Sequence, residues 1–298
     1  MRRLTDYLSS QTYDALNDRH LAHDRNIVRT DDEVLHTFLQ VYTLPSEALW
    51  RYCEYLALRD LTLTNPILEL GCGNGVFSAL TIGDVDLAID KDPRAVARAR
   101  QVGLYDRVEC LDARNLDPGI GPFNTILANC VLEHIAELPH LLSRIGRVMS
   151  MGSQLVATVP LVSMNDYLLF RNGRWIRWRQ ASLQHENLTD ILGWRALLMD
   201  AGFAEVTATP YLWGGTCHLW DLVDGIGCIG YGRLRVGIIC KIAYRILPHV
   251  MRNRMSQLME KWIIKSLPKL QARGEPCAVV LIATRDGSTG RNIKYDPA

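Results

Sequence analysis

Between Asn65 and Thr284 short apolar runs alternate with amphipathic stretches of helical period. Pro66–Leu70 is a brief apolar run that ends in glycines, and Val85–Asp90, Arg107–Asp112, Phe123–Asn129 and Gln154–Pro160 follow it. Apolar runs this short, bounded by turn residues, are the mark of buried strands. Pro93–Gln101, rich in Ala and Arg, and Glu137–Met149, with Gly152 near its end, carry the helical pattern between them. A helix over Asp190–Ala201 stops at Gly202, Glu205–Thr209 is a sixth strand, and Cys277–Thr284 is a seventh. Strands alternating with helices across short turns predict an α/β fold: a mostly parallel seven-stranded sheet with helices on both faces.

The flanking and inserted segments break this rhythm. Residues 1–62 read as an N-terminal helical cap, with Asp31-Asp32-Glu33 opening one helix at the positive end of its dipole and Pro45-Ser46-Glu47 opening the next. Over 162–184, Asn172-Gly173 lies between Leu168-Leu169-Phe170 and Trp175-Ile176, a pattern that predicts a hairpin with Trp175, Arg177 and Arg179 on one face. Residues 211–275 predict a helical insert or lid, in which Met255, Leu258, Met259, Trp262 and Ile263 share one helix face. The expected organisation is a cap (1–62), a core (63–210) with its hairpin, the insert (211–275), a final core strand (276–285) and a mobile tail (286–298).

Composition narrows the function classes. The 298 residues carry 33 basic and 32 acidic side chains, a formal charge of +1 that offers no electrostatic footprint for a nucleic acid. The eight cysteines form no CxxC pair and no His/Cys spacing of a zinc site, so no metal is expected and reduced, cytoplasmic thiols are the plain reading. Met1-Arg2-Arg3-Leu4-Thr5-Asp6 lacks the apolar core of a secretory signal, and no run is long and uncharged enough to span a bilayer.

The chemistry concentrates at strand ends. Leu68-Glu69-Leu70-Gly71-Cys72-Gly73-Asn74-Gly75 joins a strand to a short helix. Its glycines allow a tight turn and close ligand approach, and the following helix start presents N–H groups to an anion. The spacing is G-x-G-x-G, not the G-x-G-x-x-G that meets a pyrophosphate. Glu69 suits a ligand ammonium, Asp90 can accept from two ribose hydroxyls, and Asp112 with the Ala113 N–H can meet an adenine edge. Asp90 and Asp112 have an alternative reading as simple helix caps.

Together with Cys130-Val131-Leu132-Glu133-His134-Ile135, these elements resemble class I S-adenosylmethionine (SAM)-dependent methyltransferases, and in particular the type 11 group that includes quinone-biosynthesis methyltransferases. The resemblance covers about 65–210 plus the last strand and implies a Rossmann-like fold with SAM as cofactor. It implies that Glu69, Gly71 and Gly73 hold the methionine end, Asp90 the ribose and Asp112 the adenine, that Cys72, Lys91 and Ala113 belong to the same cofactor site, and that Asn129 lines the transfer site. Asn124 departs from it, since many members carry Asp there.

For the acceptor, His185 and His134 are the candidate bases, and each has an alternative reading as a loop anchor. Arg174, Trp175 and Arg177 are candidate substrate contacts, either gripping an anion or stacking on a ring, or else solvated. The insert holds nine Lys/Arg and one acid, Glu260, between Arg233 and Lys269; it either packs on the core or a second subunit, or lies peripherally on the inner face of a membrane. The expected activity is methylation, at oxygen, of a small-molecule, glycan or lipid-linked acceptor. The competing readings are an NAD-dependent oxidoreductase, which the glycine spacing fits poorly, and a non-catalytic partner protein of the same fold.

Overall fold

The apolar runs become strands because each is covered on both sides. A computed structural model describes residues 30–42, 44–230 and 235–285. Its strands are β1 (Ile67–Leu70), β2 (Val85–Asp90), β3 (Tyr105–Cys110), β4 (Phe123–Asn129), β5 (Met149–Pro160), β6 (Glu205–Trp213) and β7 (Pro276–Thr284). They form one sheet in the order β3-β2-β1-β4-β5-β7-β6, parallel except for β7, which runs antiparallel to both β5 and β6. All four residues of β1 are buried, as expected for a central strand between two helical layers.

The helices, in chain order, are α1 (Asp31–Val41), α2 (Pro45–Leu58), α3 (Val76–Thr81), α4 (Pro93–Val102), α5 (Leu138–Val148), α6 (Gly173–Leu183), α7 (Ile191–Asp200), α8 (Gly214–Cys228), α9 (Val236–Ile246) and α10 (His249–Gln271). The two predicted cap helices start where the acids and the proline place them. Thr30 and Glu33 form a reciprocal capping box on α1, and Pro45 occupies the first turn of α2. One core layer joins Leu68, Ile89, Ile126, Leu142 and Trp194. The other brings Phe38, Leu49 and Tyr52 of α1 and α2 against Ile67, Leu127 and Val156 of the sheet. The chain crosses from one side of β1 to the other between β3 and β4, so the carboxyl ends of β1 and β4 flank a topological switch point, where open α/β sheets bind ligands. Asn124 Nδ2 donates to the Asn65 carbonyl (2.6 Å), so at this position the amide does the work of fixing the start of β4.

Three expectations are corrected. The predicted hairpin is the helix α6. Asn172 is extended (φ −95°, ψ 147°) and its side chain accepts the Trp175 N–H (2.8 Å), so Asn172-Gly173 is a helix cap and first residue, without the positive φ values that a two-residue hairpin turn demands. Helical geometry then sends Arg179 into the protein while Arg174 and Arg177 stay exposed, in place of the strand alternation. β5 begins at Met149 and passes through Gly152 (φ 74°), which therefore lies inside a strand and does not end a helix. β6 continues to Trp213, so the insert starts with α8 at Gly214 and not at 211.

Within the insert, the predicted face of α10 is split. Ile263 is buried, whereas Met255, Leu258 and Trp262 are exposed. No helix among the described residues is long and apolar enough to cross a membrane. The first part of the expected cap, the expected tail from Asp286, and Arg233 lie outside the described residues.

Candidate active site

At the end of β1 the chain turns through a loop stapled to β2. The N–H groups of Gly71 and Cys72 both donate to the Ile89 carbonyl (2.8 and 3.1 Å), and Gly73 N–H donates to Asp90 Oδ2 (2.9 Å). Gly71 has φ 66°, and a Cβ there would stand 2.6 Å from a Val131 methyl, so both torsion and space require glycine. A Cβ on Gly73 would meet open space, so the loop presents bare backbone on that side. Asp90 Oδ1 accepts the Asp92 N–H (2.8 Å), which ties the loop to the start of α4.

Glu69 lies beneath the loop, with 3% of its surface exposed. One carboxylate oxygen accepts from Ser78 Oγ (2.6 Å) and the other from the Tyr105 hydroxyl (2.8 Å). Burial pushes its carboxyl up from the usual range, against the pull of those two hydroxyls. Each oxygen retains the capacity to accept a further hydrogen bond.

That cleft, about 250 Å³, is lined by Glu69, Gly71, Cys72, Gly73 and Asn129 from the sheet edge, and by Tyr42, Arg51 and Phe77. Five predicted cofactor residues thus share one cavity. Asp90 reaches it through Gly73, and Lys91 is exposed beside Asp90. Asp112 and Ala113 do not line it. Asp112 caps the short turn 113–115, and the Arg114 guanidinium grips both its oxygens (2.7–3.2 Å), holding the carboxyl below its usual range. Trp175 packs edge-on against Phe170, and its indole N–H donates to Asp221 (3.4 Å); neither it nor the exposed Arg174 and Arg177 reaches the cleft.

Arg51 is a residue the sequence reading missed. It enters from α2, its guanidinium lies over the Phe77 ring (5.3 Å), and it donates to the buried Glu54 (2.6 Å). An Arg–Glu pair three residues apart within Ala48–Leu58, a stretch otherwise mostly apolar, was the available signal.

Beyond the glycine loop, the ends of β4 and β5 enclose polar groups that lack partners among the described residues. Both side-chain polar atoms of Asn129, Glu133 Oε2 and the Tyr211 hydroxyl are buried and unbonded. Cys130 follows β4 in the left-handed region (φ 53°), a conformation that costs energy for a non-glycine residue and is held here by its N–H bond to Thr158 Oγ1 (2.9 Å). Burial pushes the Glu133 carboxyl up to about 8 and the His185 imidazole down to about 4. His134 and His185, separate in sequence, come together with ring centroids 5.4 Å apart.

This sheet order, with a reversed β7, a glycine turn after β1 and an acid ending β2, suits a nucleoside-bearing ligand with an amino-acid tail. A family of sequences described as a methyltransferase domain matches residues 45–208, more than half of the chain. The chain belongs to that family. It is a class I SAM-dependent methyltransferase, so the oxidoreductase reading falls away.

By sequence no curated protein matches it. Among solved structures, the methyltransferase is similar to a SAM-dependent methyltransferase of Thermotoga maritima described as a possible histamine N-methyltransferase, at 16% identity and a TM-score of 0.52, covering 86% of this chain and 100% of that one. It is also similar to phosphoethanolamine N-methyltransferase 2 of Haemonchus contortus, at 15% identity and a TM-score of 0.52, covering 92% of this chain and 60% of that one. At such identities the likeness establishes the fold, and the acceptor has to be argued from this molecule.

Proposed function

We propose that the methyltransferase works at a membrane surface, transferring a methyl group to oxygen on a lipid-linked acceptor. The observation that carries this reading is the outer face of the insert. Ile239, Ile242 and Ile246 form one exposed stripe on α9, and Met255, Leu258 and Trp262 another on α10. Both helices pack on α8, and the Tyr244 hydroxyl of α9 lies 3.1 Å from Ser256 Oγ of α10. Arg235, Arg254, Lys261 and Lys265 are exposed on the same two helices or at their start. Exposed apolar stripes bordered by cations are what an interfacial helix presents to anionic lipid. β6 leads into this insert and β7 leaves it, so a lipid-borne acceptor held there stands close to the sheet edge that carries the cleft.

The cofactor residues fit the same reading. Arg51 suits a carboxylate, Glu69 an ammonium, and Asp90 a pair of hydroxyls. The unbonded Asn129 amide faces the same cleft. SAM supplies an already activated methyl group on its sulfonium, so the protein's task is alignment and exclusion of water. Arg114 already occupies Asp112, so that carboxylate serves the adenine only if the pair opens; Asp90 is the stronger assignment. Asn129 and Tyr211 offer an acceptor hydroxyl its hydrogen bonds.

Two results are expected. Asp90→Ala weakens SAM binding by about 1–3 kcal/mol, measured by calorimetry, because the ribose hydroxyls lose a charged acceptor and the Gly73 N–H loses its anchor. Unchanged affinity would remove Asp90 from the site. Second, protein incubated with bacterial membranes and isotopically labelled SAM places label in the organic-soluble fraction. The double substitution Leu258→Glu, Trp262→Glu cuts that labelling about tenfold or more while SAM affinity is unchanged, since it puts two anions where the surface meets lipid phosphates. Label confined to water-soluble products, or labelling indifferent to the double substitution, would overturn the membrane reading.

A further inference from the structure

Glu133, His134 and His185 bring one carboxylate oxygen and two imidazole nitrogens within 4.8 Å of one another. No spacing in the sequence announces this, because His134 follows β4 and His185 follows α6. Each histidine has its tautomer set by a bond on its far side. His134 Nδ1 lies 2.9 Å from the Gln184 carbonyl oxygen, which can only accept, so Nδ1 carries the proton and Nε2 keeps its lone pair. His185 Nδ1 lies 2.7 Å from Gln180 Oε1, and Gln180 Nε2 in turn donates to Asn165 Oδ1 (2.7 Å), which fixes the amide the same way round. A carbonyl behind each ring, aiming Nε2 forward, is how proteins orient metal-ligating histidines.

The backbone holds the two halves of the cluster in place. The Glu133 carbonyl accepts the N–H groups of Glu186 and Asn187 (2.8 and 2.9 Å), and Asn187 Nδ2 donates back to the carbonyls of Leu132 and Ile135 (3.0 and 2.6 Å). Gln184 takes the left-handed conformation (φ 58°), ending α6 and turning its carbonyl to His134. Inside this brace Glu133 is 2% exposed, and its Oε2 has no partner. A buried carboxyl oxygen with no hydrogen-bond partner costs free energy that a coordinated cation would offset.

We propose that Glu133, His134 and His185 bind one divalent transition-metal ion, through the Glu133 carboxylate and Nε2 of each histidine. Glu133 Oε1 and His134 Nε2 stand 3.8 Å apart. Ligand atoms around such an ion are about 3–3.5 Å apart for bonds near 2.1 Å, so closing the set takes side-chain adjustment within the fixed backbone. Two imidazoles and one carboxylate suit Zn²⁺, Fe²⁺, Mn²⁺ or Co²⁺ over Mg²⁺ or Ca²⁺, and three protein ligands leave positions open. The cluster follows β4, whose last residue, Asn129, lines the cofactor cleft, so an acceptor hydroxyl bound in an open position would be polarised there. That consequence rests on the proposed hydroxyl acceptor; ion binding does not.

The test is titration of the full chain with Co²⁺ alone, in the absence of SAM and acceptor, followed by visible absorption and calorimetry. One equivalent is expected to bind with ligand-field bands of a nitrogen- and oxygen-coordinated ion. His134→Ala and His185→Ala each weaken binding at least about 100-fold, and Gln180→Ala, which removes only the orienting amide, weakens it about 10–100-fold. His36→Ala, in a separate pair with Glu260, leaves binding unchanged. Thermal melts and SAM affinity of each variant show that the fold is intact, and SAM affinity also reports separately on the methyltransferase site. Absence of saturable Co²⁺ binding to the unmodified protein, or equal binding by the His134 and His185 variants, would overturn the site.

Discussion

Arg179→Ala is expected to lower the free energy of unfolding by about 3–5 kcal/mol, measured by urea denaturation. Arg179 is wholly buried, and its guanidinium donates to Asp221 (2.6 Å) and Asp224 (2.8 Å) of α8 while lying 5.2 Å from the Trp220 ring centre. Asp221 is equally buried, and it also accepts the Leu169 N–H (2.7 Å) and the Trp175 indole N–H (3.4 Å). Removing the cation leaves that carboxylate charged in the interior with only neutral donors, which is the costly half of breaking a buried pair. The neighbouring exposed arginines make the control: Arg174→Ala and Arg177→Ala are expected to stay within about 0.5 kcal/mol of the parent. A loss below about 1 kcal/mol for Arg179→Ala would mean that α6 is not anchored through this pair.

Gly71→Val is expected to abolish measurable SAM binding with the sheet still folded. The left-handed torsion alone costs an ordinary residue about 1–2 kcal/mol, and a β-branched one more. The added Cβ would also stand 2.6 Å from a methyl of Val131, itself stiff about χ1, and crowding of that kind costs about 1–3 kcal/mol. Relief comes most easily by shifting the loop, which has few tethers beyond the bonds of Gly71, Cys72 and Gly73 to β2, so the strain falls on the cleft and not on the strands beneath it. Calorimetry with SAM and a parallel urea melt read the two effects apart. SAM affinity within threefold of the parent would show that the loop does not form the binding surface.

The sheet and the glycine loop were legible in the sequence because both are local in character. A buried strand must be apolar along its length, and a turn at positive φ calls for glycine, so each leaves its mark within a few residues. Asn172-Gly173 misled for the same reason: its local chemistry serves a hairpin turn and a helix cap equally well. What decided between them was distant, the placement of Asp221 and Asp224 where an inward arginine on a helix could reach them. Arg51 and the Glu133, His134 and His185 cluster also depend on elements far apart in the chain, α2 against β1 and the end of β4 against the end of α6. Asp112 was expected to face the adenine; its commitment to Arg114 was not foreseen, although the partner stands two residues away.

The fully buried Glu54 carboxylate accepts from Arg51 on its own helix and from the Thr158 hydroxyl at the end of β5. It rivets the cap to the floor of the domain. Swinging α2 aside would strand charge and hydroxyl together, at a cost of several kcal/mol, so this helix behaves as a wall and not as a door.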